Sequence, residues 1–235
     1  MESGNGSVDR WEDATTATGS GTGLDDWTEG SFDVGSSDVE ILKRVWRNEK
    51  AAPDILPYEA RLIERVHEQI LLMEENTAEI SKTVDDLMLS IYQMDISRTT
   101  FLLKAYLRTR LGKIEKFVMH IIRTPELWER LSEQEQGYAQ RYVDALSKHM
   151  KNCVLDKLET AYCSMVKQAE SSEGDDMILE PDLDTYVFCR SKGAVGSFQL
   201  DERGYESVDL MLDDLYILRY RPVQGLLAAD RIELV

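Results

Sequence analysis

From Thr83 to Arg123 the chain has no proline, and its apolar residues return every three or four positions, the spacing of one long helix. Unbroken, that helix would be roughly 60 Å long at 1.5 Å per residue. Leu89, Ile96, Leu103, Leu107, Leu111, Ile114, Val118 and Ile121 fall in a stripe about 80° wide, which predicts the face turned to the chain's own core. A second apolar set, Ile91, Met94, Phe101, Leu102, Ala105 and Met119, lies on the far side. Arg98 and Lys116 sit among them, and Gly112 leaves room for another backbone to approach. Leaving the second set in water would forgo on the order of 10 kcal/mol, comparable with the net stability of a domain. Either a partner helix or another helix of this chain is therefore expected to cover it.

The flanking pattern predicts further helices. Ser37-Asp38-Val39-Glu40 reads as a capping box before a short helix through Leu42, Val45, Trp46 and Glu49. "KAAPDILP" stops it, because Pro53 and Pro57 lack the donor a helix interior needs. Pro57 suits the first turn of a second helix with apolar positions Leu62, Val66, Ile70 and Met73. After the long helix, Thr124-Pro125 opens a short helical turn. Ser132-Glu133-Gln134-Glu135 is a second capping box, before a helix through Tyr138, Tyr142, Ala145 and Leu146 towards Lys157.

The period changes after "QAESSEGDDMILEP". "LDTYVFCR" sets Leu183, Thr185, Val187 and Cys189 against Asp184, Tyr186, Phe188 and Arg190, as a strand does. "GSFQL", "SVDLML" and "LYILRY" are further strand candidates, "PVQGLLAAD" a brief helix and "RIELV" a last strand. The expected organisation is mainly α: an acidic tail over 1–36, a helical domain over 37–167, a linker over 168–180 and a small β-rich domain over 181–235.

Charge alters this picture at the N-terminal end. Of the formal net charge of −17, residues 1–40 carry −9 and hold 7 of the 14 glycines. Such a segment buries too little apolar area to offset chain entropy, so a disordered tail is expected. Within it Leu24, Trp27, Phe32 and Val34 stand among Asp25, Asp26, Glu29 and Asp33, a composition suited either to a docking peptide or to plain solvation. The overall charge argues against whole-surface binding to nucleic acid or anionic membrane. Lys104, Arg108, Arg110, Lys113, Lys116 and Arg123 point in several directions around the long helix rather than along one track. An odd cysteine count (Cys153, Cys163, Cys189) and no signal-like segment lead to the expectation of an intracellular, reduced protein without a membrane span.

Candidate chemistry is sparse. His149 and Cys153 share a helical face, but no second ligand pair stands at zinc spacing. Asp182 and Asp184 in "PDLD" resemble a cation pair, although a turn cap suits their place before a strand better. Ser164-Met165-Val166-Lys167 matches an acyl-transfer signature without its companion motifs, and Gly174-Asp175-Asp176 lies in the linker. No phosphate-binding glycine loop is present in the sequence. No catalytic site, cofactor, metal or small-molecule substrate is expected.

"WRNEKAAPDIL", "EQILLMEEN", "SIYQMDISRTTFLLKAYLRTRLGKIEKF", "PDLDTYVFCR" and "YILRYRPVQGLLAADRIELV", in that order, resemble the Sld-five subunit of the GINS complex. The resemblance implies a helical A domain followed by a small β-rich B domain, a heterotetramer with three Psf subunits, and assembly with the Mcm hexamer and a RecJ-like component into the replicative helicase. It implies a nuclear, non-catalytic role in origin firing and fork progression. An N-terminal adaptor-docking peptide would fall on Leu24, Asp25, Asp26, Trp27 and Phe32. Partner contacts would fall on the long helix, at Ile91, Met94, Phe101, Leu102, Ala105, Tyr106, Arg108 and Met119, with Arg108, Arg110, Lys113 and Glu115 supplying ion pairs. Near the C-terminus, the resemblance makes Tyr220, Leu226, Leu227, Ile232, Leu234 and Val235 candidate packing or partner positions. The alternative reading is a stand-alone helical nucleic-acid-binding or adaptor module.

Overall fold

The computed structural model describes residues 37–80, 86–193, 195–200 and 207–235. The tail, with its docking candidates Leu24, Asp25, Asp26, Trp27 and Phe32, lies outside the described residues, as does Thr83.

Helix α1 (Asp38–Ala51) starts where Ser37 Oγ accepts from the Glu40 amide. Only that half of the expected box forms, because the Glu40 carboxylate instead pairs with Lys43 one turn along. Helix α2 (Ala60–Ile80) begins later than the proline pattern suggested. Pro57 lies in the connecting segment, where the Tyr58 amide donates to the Arg130 carbonyl and holds the chain away from helical geometry. Helix α3 (Asp86–Arg123) is the long helix, with one local break in helical dihedrals at Phe117. Helix α4 (Pro125–Glu129) starts on its proline, and α5 (Glu133–Cys153) starts on the full capping box of Ser132 and Glu135. It stops short of Lys157, giving way to single 3-10 turns at Leu155–Lys157 and Thr160–Tyr162.

All the strand candidates form. Strands β1 (Tyr186–Ser191), β4 (Leu215–Arg219) and β5 (Ile232–Leu234) make an antiparallel sheet in the order β4-β1-β5. Strands β2 (Gly196–Gln199) and β3 (Ser207–Leu210) form a separate antiparallel pair. Helix α6 (Tyr220–Ala228) connects β4 to β5 and packs on both. The fold is mainly α, a helical bundle followed by a small antiparallel sheet region.

Helix α3 is the axis of the bundle, flanked by α1, α2, α4 and α5. Leu42, Leu62, Val66, Leu103 and Tyr106 fill one core cluster; Ile55, Ile114, Val118, Ile121, Leu127 and Ala139 fill another. A third holds Val187, Cys189, Leu218, Val223, Ile232 and Leu234 from the sheet region, together with Ala52 from the end of α1. The sheet region thus leans on the helices: the Leu234 amide donates to Asn48 Oδ1 at 2.8 Å. Burial pushes the Cys189 thiol up to about 11, so it behaves as a core residue rather than a nucleophile.

Candidate functional site

The inner side of α3 is fully used by the chain itself. Thr99, Leu103, Tyr106, Arg110, Ile114, Phe117, Val118 and Ile121 are its buried residues. This face is rotated from the aliphatic stripe expected from periodicity, because Arg110 lies at its centre. The guanidinium donates from Nε and Nη2 to the two oxygens of Glu135 at 2.7 and 2.9 Å, and from Nη1 to Glu49 Oε2 at 3.1 Å. The Leu56 and Arg130 carbonyls take further bonds at 2.6 and 3.1 Å. Tyr58 and Tyr106 present their rings to the same guanidinium, at 5.3 and 5.7 Å. Burial alone would lower the Arg110 pKa, but its bond to Glu135 and the charges around it raise it instead, so the cation stays charged.

Lys113, one turn on, donates to Glu49 Oε1 at 2.9 Å and to the Asp54 carbonyl at 2.6 Å. Burial lowers its pKa against the opposing pull of Glu49. Asp54 in turn accepts from Arg130 Nη1 and Gln224 Nε2, both at 2.9 Å, and from the Tyr220 hydroxyl. The network joins α1, the α1–α2 segment, α3, α5 and α6. Its role is to fix the helices around α3.

The outer side of α3 is different. Ile91, Met94 and Phe101 are 41%, 45% and 61% exposed, and Leu87 is 67% exposed. Ala105 is half-buried and Arg108 exposed, while Leu102 and Met119 are half-buried with part of their surface packed against the chain's own core clusters. Tyr106 does not belong with them: it is wholly buried against Tyr58 and Arg110, so it serves the core and offers no contact to a partner. Of the C-terminal packing or partner candidates, Tyr220, Ile232 and Leu234 take the packing role, buried in the sheet-region core; Leu226 and Leu227 pack partly against that core, and Val235 is exposed. Of the expected ion-pair set, Arg110 and Lys113 are committed inside the chain, and Glu115 accepts from the Tyr138 hydroxyl.

A second exposed apolar surface was missed. Strand β1 turns Val187, Cys189 and Ser191 inward and leaves Tyr186 and Phe188 outside, where Phe188 stands beside Ile217 of β4. The signal was present, since β1 and β4 carry apolar residues on both alternating sets, the pattern of a strand covered on both faces. Leu107 and Leu111, expected in the core, are half-buried and pack against the core clusters, and their open sides line a groove of about 1030 Å³ with Ile63, Glu64, Glu133 and Arg141.

The sequence's candidate chemistry resolves into structural roles. Asp182 Oδ1 accepts from the Asp184 amide at 2.9 Å, an Asx turn before β1. Ser164 Oγ accepts from the Val166 and Lys167 amides, both at 3.2 Å. Asp175 pairs with Arg123, and Asp176 accepts from the Gln168 amide at 2.8 Å. His149 Nδ1 and Cys153 Sγ are 3.7 Å apart and exposed on α5. Among the described residues no group of three or more His, Cys, Asp and Glu is placed to hold a metal ion, and no helix is long and apolar enough to cross a membrane.

Comparison with known proteins matches residues 65–154 to the GINS complex protein helical bundle domain, and residues 181–235 to the C-terminus of the DNA replication complex GINS protein SLD5. The chain is 48% identical to the Arabidopsis thaliana DNA replication complex GINS protein SLD5, over 86% of this chain and 93% of the relative. It is 32% identical to the mouse protein of that name, over 84% and 88%, and 30% identical to the human one, over the same shares. With both parts of its fold matched and plant and animal relatives aligned along most of their length, the chain belongs to the SLD5 family of GINS DNA replication complex proteins.

Proposed function

We propose that this chain is a non-catalytic structural subunit of a GINS heterotetramer, built with three Psf subunits, and that the tetramer joins an Mcm hexamer and a RecJ-like component in the nuclear replicative helicase. The supporting observation is the two-sided character of α3: its inner face is closed by the chain's own core, while its outer face leaves Ile91, Met94 and Phe101 in water. Each such side chain forgoes about 1.5–3 kcal/mol if never covered. On this reading Leu102, Ala105, Arg108 and Met119 complete the contact, and Leu226, Leu227 and Val235 border a second one. The working division is a helical module over 37–167, a linker over 168–180 and a β-rich module over 181–235. Leu24, Asp25, Asp26, Trp27 and Phe32 would serve as an adaptor-docking peptide.

Co-expression with three Psf subunits should give one particle of 1:1:1:1 stoichiometry. A well-behaved monomer that ignores them would overturn the proposal. Phe101→Asp should sharply lower recovery of the complex while leaving the thermal melt of the isolated chain within about 0.5 kcal/mol of the original, because the side chain lies at the surface. Deleting residues 1–36 should leave the tetramer intact.

A further inference from the structure

The groove on the flank of the bundle combines an apolar floor with a charged rim. Its floor holds Ile63 of α2, Tyr138 of α5, and Leu103, Leu107 and Leu111, which follow one another a helical turn apart along α3. It lies where α2 and α5 both begin: the Tyr58 amide donates to the Arg130 carbonyl at 3.0 Å, and both residues line the groove. Leu107 stands about 120° around α3 from Phe101. The groove is therefore a surface apart from the exposed side that carries Ile91, Met94 and Phe101. Its volume of about 1030 Å³ is at the upper end of ligand-sized clefts, enough for a short peptide.

The rim sets the sign of the occupant. Glu64, Glu129 and Glu133 line it, all three are exposed, and none has an ion pair among the described residues. Arg130 is committed to Asp54 at 2.9 Å, and Glu135 to Arg110 at 2.7 Å, which leaves Arg141 and His67 beside three unpaired carboxylates. The chain's own N-terminal segment carries −9 over residues 1–40, and a second copy carries −17, so both meet this rim with the wrong sign. We infer that the groove between α2, α3 and α5 docks a short linear segment of a partner protein. Its apolar side chains seat on Leu107 and Leu111, and its lysine or arginine side chains meet Glu64, Glu129 and Glu133. Apolar anchors supply the affinity, and the complementary charges fix which segment binds and in which direction. This contact lies beyond the subunit contact proposed above and does not depend on it.

Two fluorescein-labelled peptides test it, each with a pair of leucines four positions apart, flanked by lysines in one and by glutamates in the other. Fluorescence anisotropy with the full chain should show the lysine peptide binding at least tenfold more tightly, by a margin that shrinks as salt is raised. The triple variant Glu64→Lys/Glu129→Lys/Glu133→Lys should reverse the preference. Because the whole chain is acidic, a second triple variant, Glu74→Lys/Glu75→Lys/Asp95→Lys, makes the same charge change at exposed positions outside the groove and should keep the preference. A lysine peptide with serines for its leucines should bind at least tenfold more weakly. Equal binding of the two peptides would overturn the inference. So would reversal by the second variant as fully as by the first, or undiminished binding of the serine peptide. Circular dichroism of each variant separates loss of binding from loss of fold.

Discussion

Arg110 shows what a single residue contributes and why its role is hard to read in advance. A basic residue in a helix rich in Lys and Arg reads as surface, and its partners Glu49 and Glu135 are 61 and 25 positions away. The one local hint is the capping box, which places the Glu135 carboxylate at the buried start of α5. Replacing Arg110 with Ala leaves two buried carboxylates without their main cation, although Glu49 keeps Lys113 and Glu135 keeps the Ser132 amide. The expected cost is about 3 to 5 kcal/mol in chemical denaturation. Tyr106 should behave in the opposite way. Its hydroxyl is buried near the Glu59 backbone without a hydrogen bond of sound geometry among the described residues. Tyr106→Phe removes that unpaired group and keeps the ring over Arg110, so it should stabilise the chain by about 1 kcal/mol, seen as a Tm higher by about 2–4 °C.

At the scale of elements, local signals with a direct chemical mechanism were legible and those set by distant partners were not. Every strand of the sheet region was visible in the alternation of its sequence, and α4 begins on the proline that marked it. The start of α2 was misplaced, because the segment from Pro57 to Glu59 is shaped by the Tyr58 amide reaching Arg130, a residue far along the chain. The two capping boxes make the same distinction. Around α5 both reciprocal bonds form, with Glu135 Oε2 also held by Arg110; around α1 the Glu40 side chain is drawn to Lys43. Ser132→Ala should therefore cost about 1 to 2 kcal/mol, towards the upper end for a cap, and Ser37→Ala clearly less. Thermal melts of the two variants side by side measure the difference. Periodicity marked the side of α3 that the chain covers, through Leu103, Ile114, Val118 and Ile121, but not the rotation that brings Thr99, Tyr106 and Arg110 into it.

Over the whole molecule, the helices and the sheet region are joined at Asp54, which accepts from Tyr220 and Gln224 of α6 and from Arg130 beside α5. A sequence divided into a helical and a β-rich part does not announce this joint, since its partners are separated by 166 and 170 positions. Burial, and then the Asp54 charge, raise the Tyr220 pKa above its ordinary value of 10.0. A group whose folded pKa is raised holds its proton more tightly folded than unfolded, so its contribution is complete below the unfolded pKa and is lost as pH rises past it. Tyr58, Tyr106 and the Cys189 thiol shift in the same direction, chiefly through burial, while buried Lys113 shifts down and opposes them. Stability should therefore fall above about pH 10, at up to roughly 1.4 kcal/mol per pH unit for each proton involved. Tyr220→Phe removes one such proton and should flatten the alkaline slope of denaturant midpoints while lowering stability at neutral pH, where the bond to Asp54 is lost. Hydrogen exchange would locate the effect: in the variant, amides of β1, β4 and β5 should exchange faster while those of α2 and α3 keep their protection. An unchanged slope, or loosening spread evenly over the helices, would show that the sheet region is held by apolar packing through Ala52 rather than by the Asp54 joint.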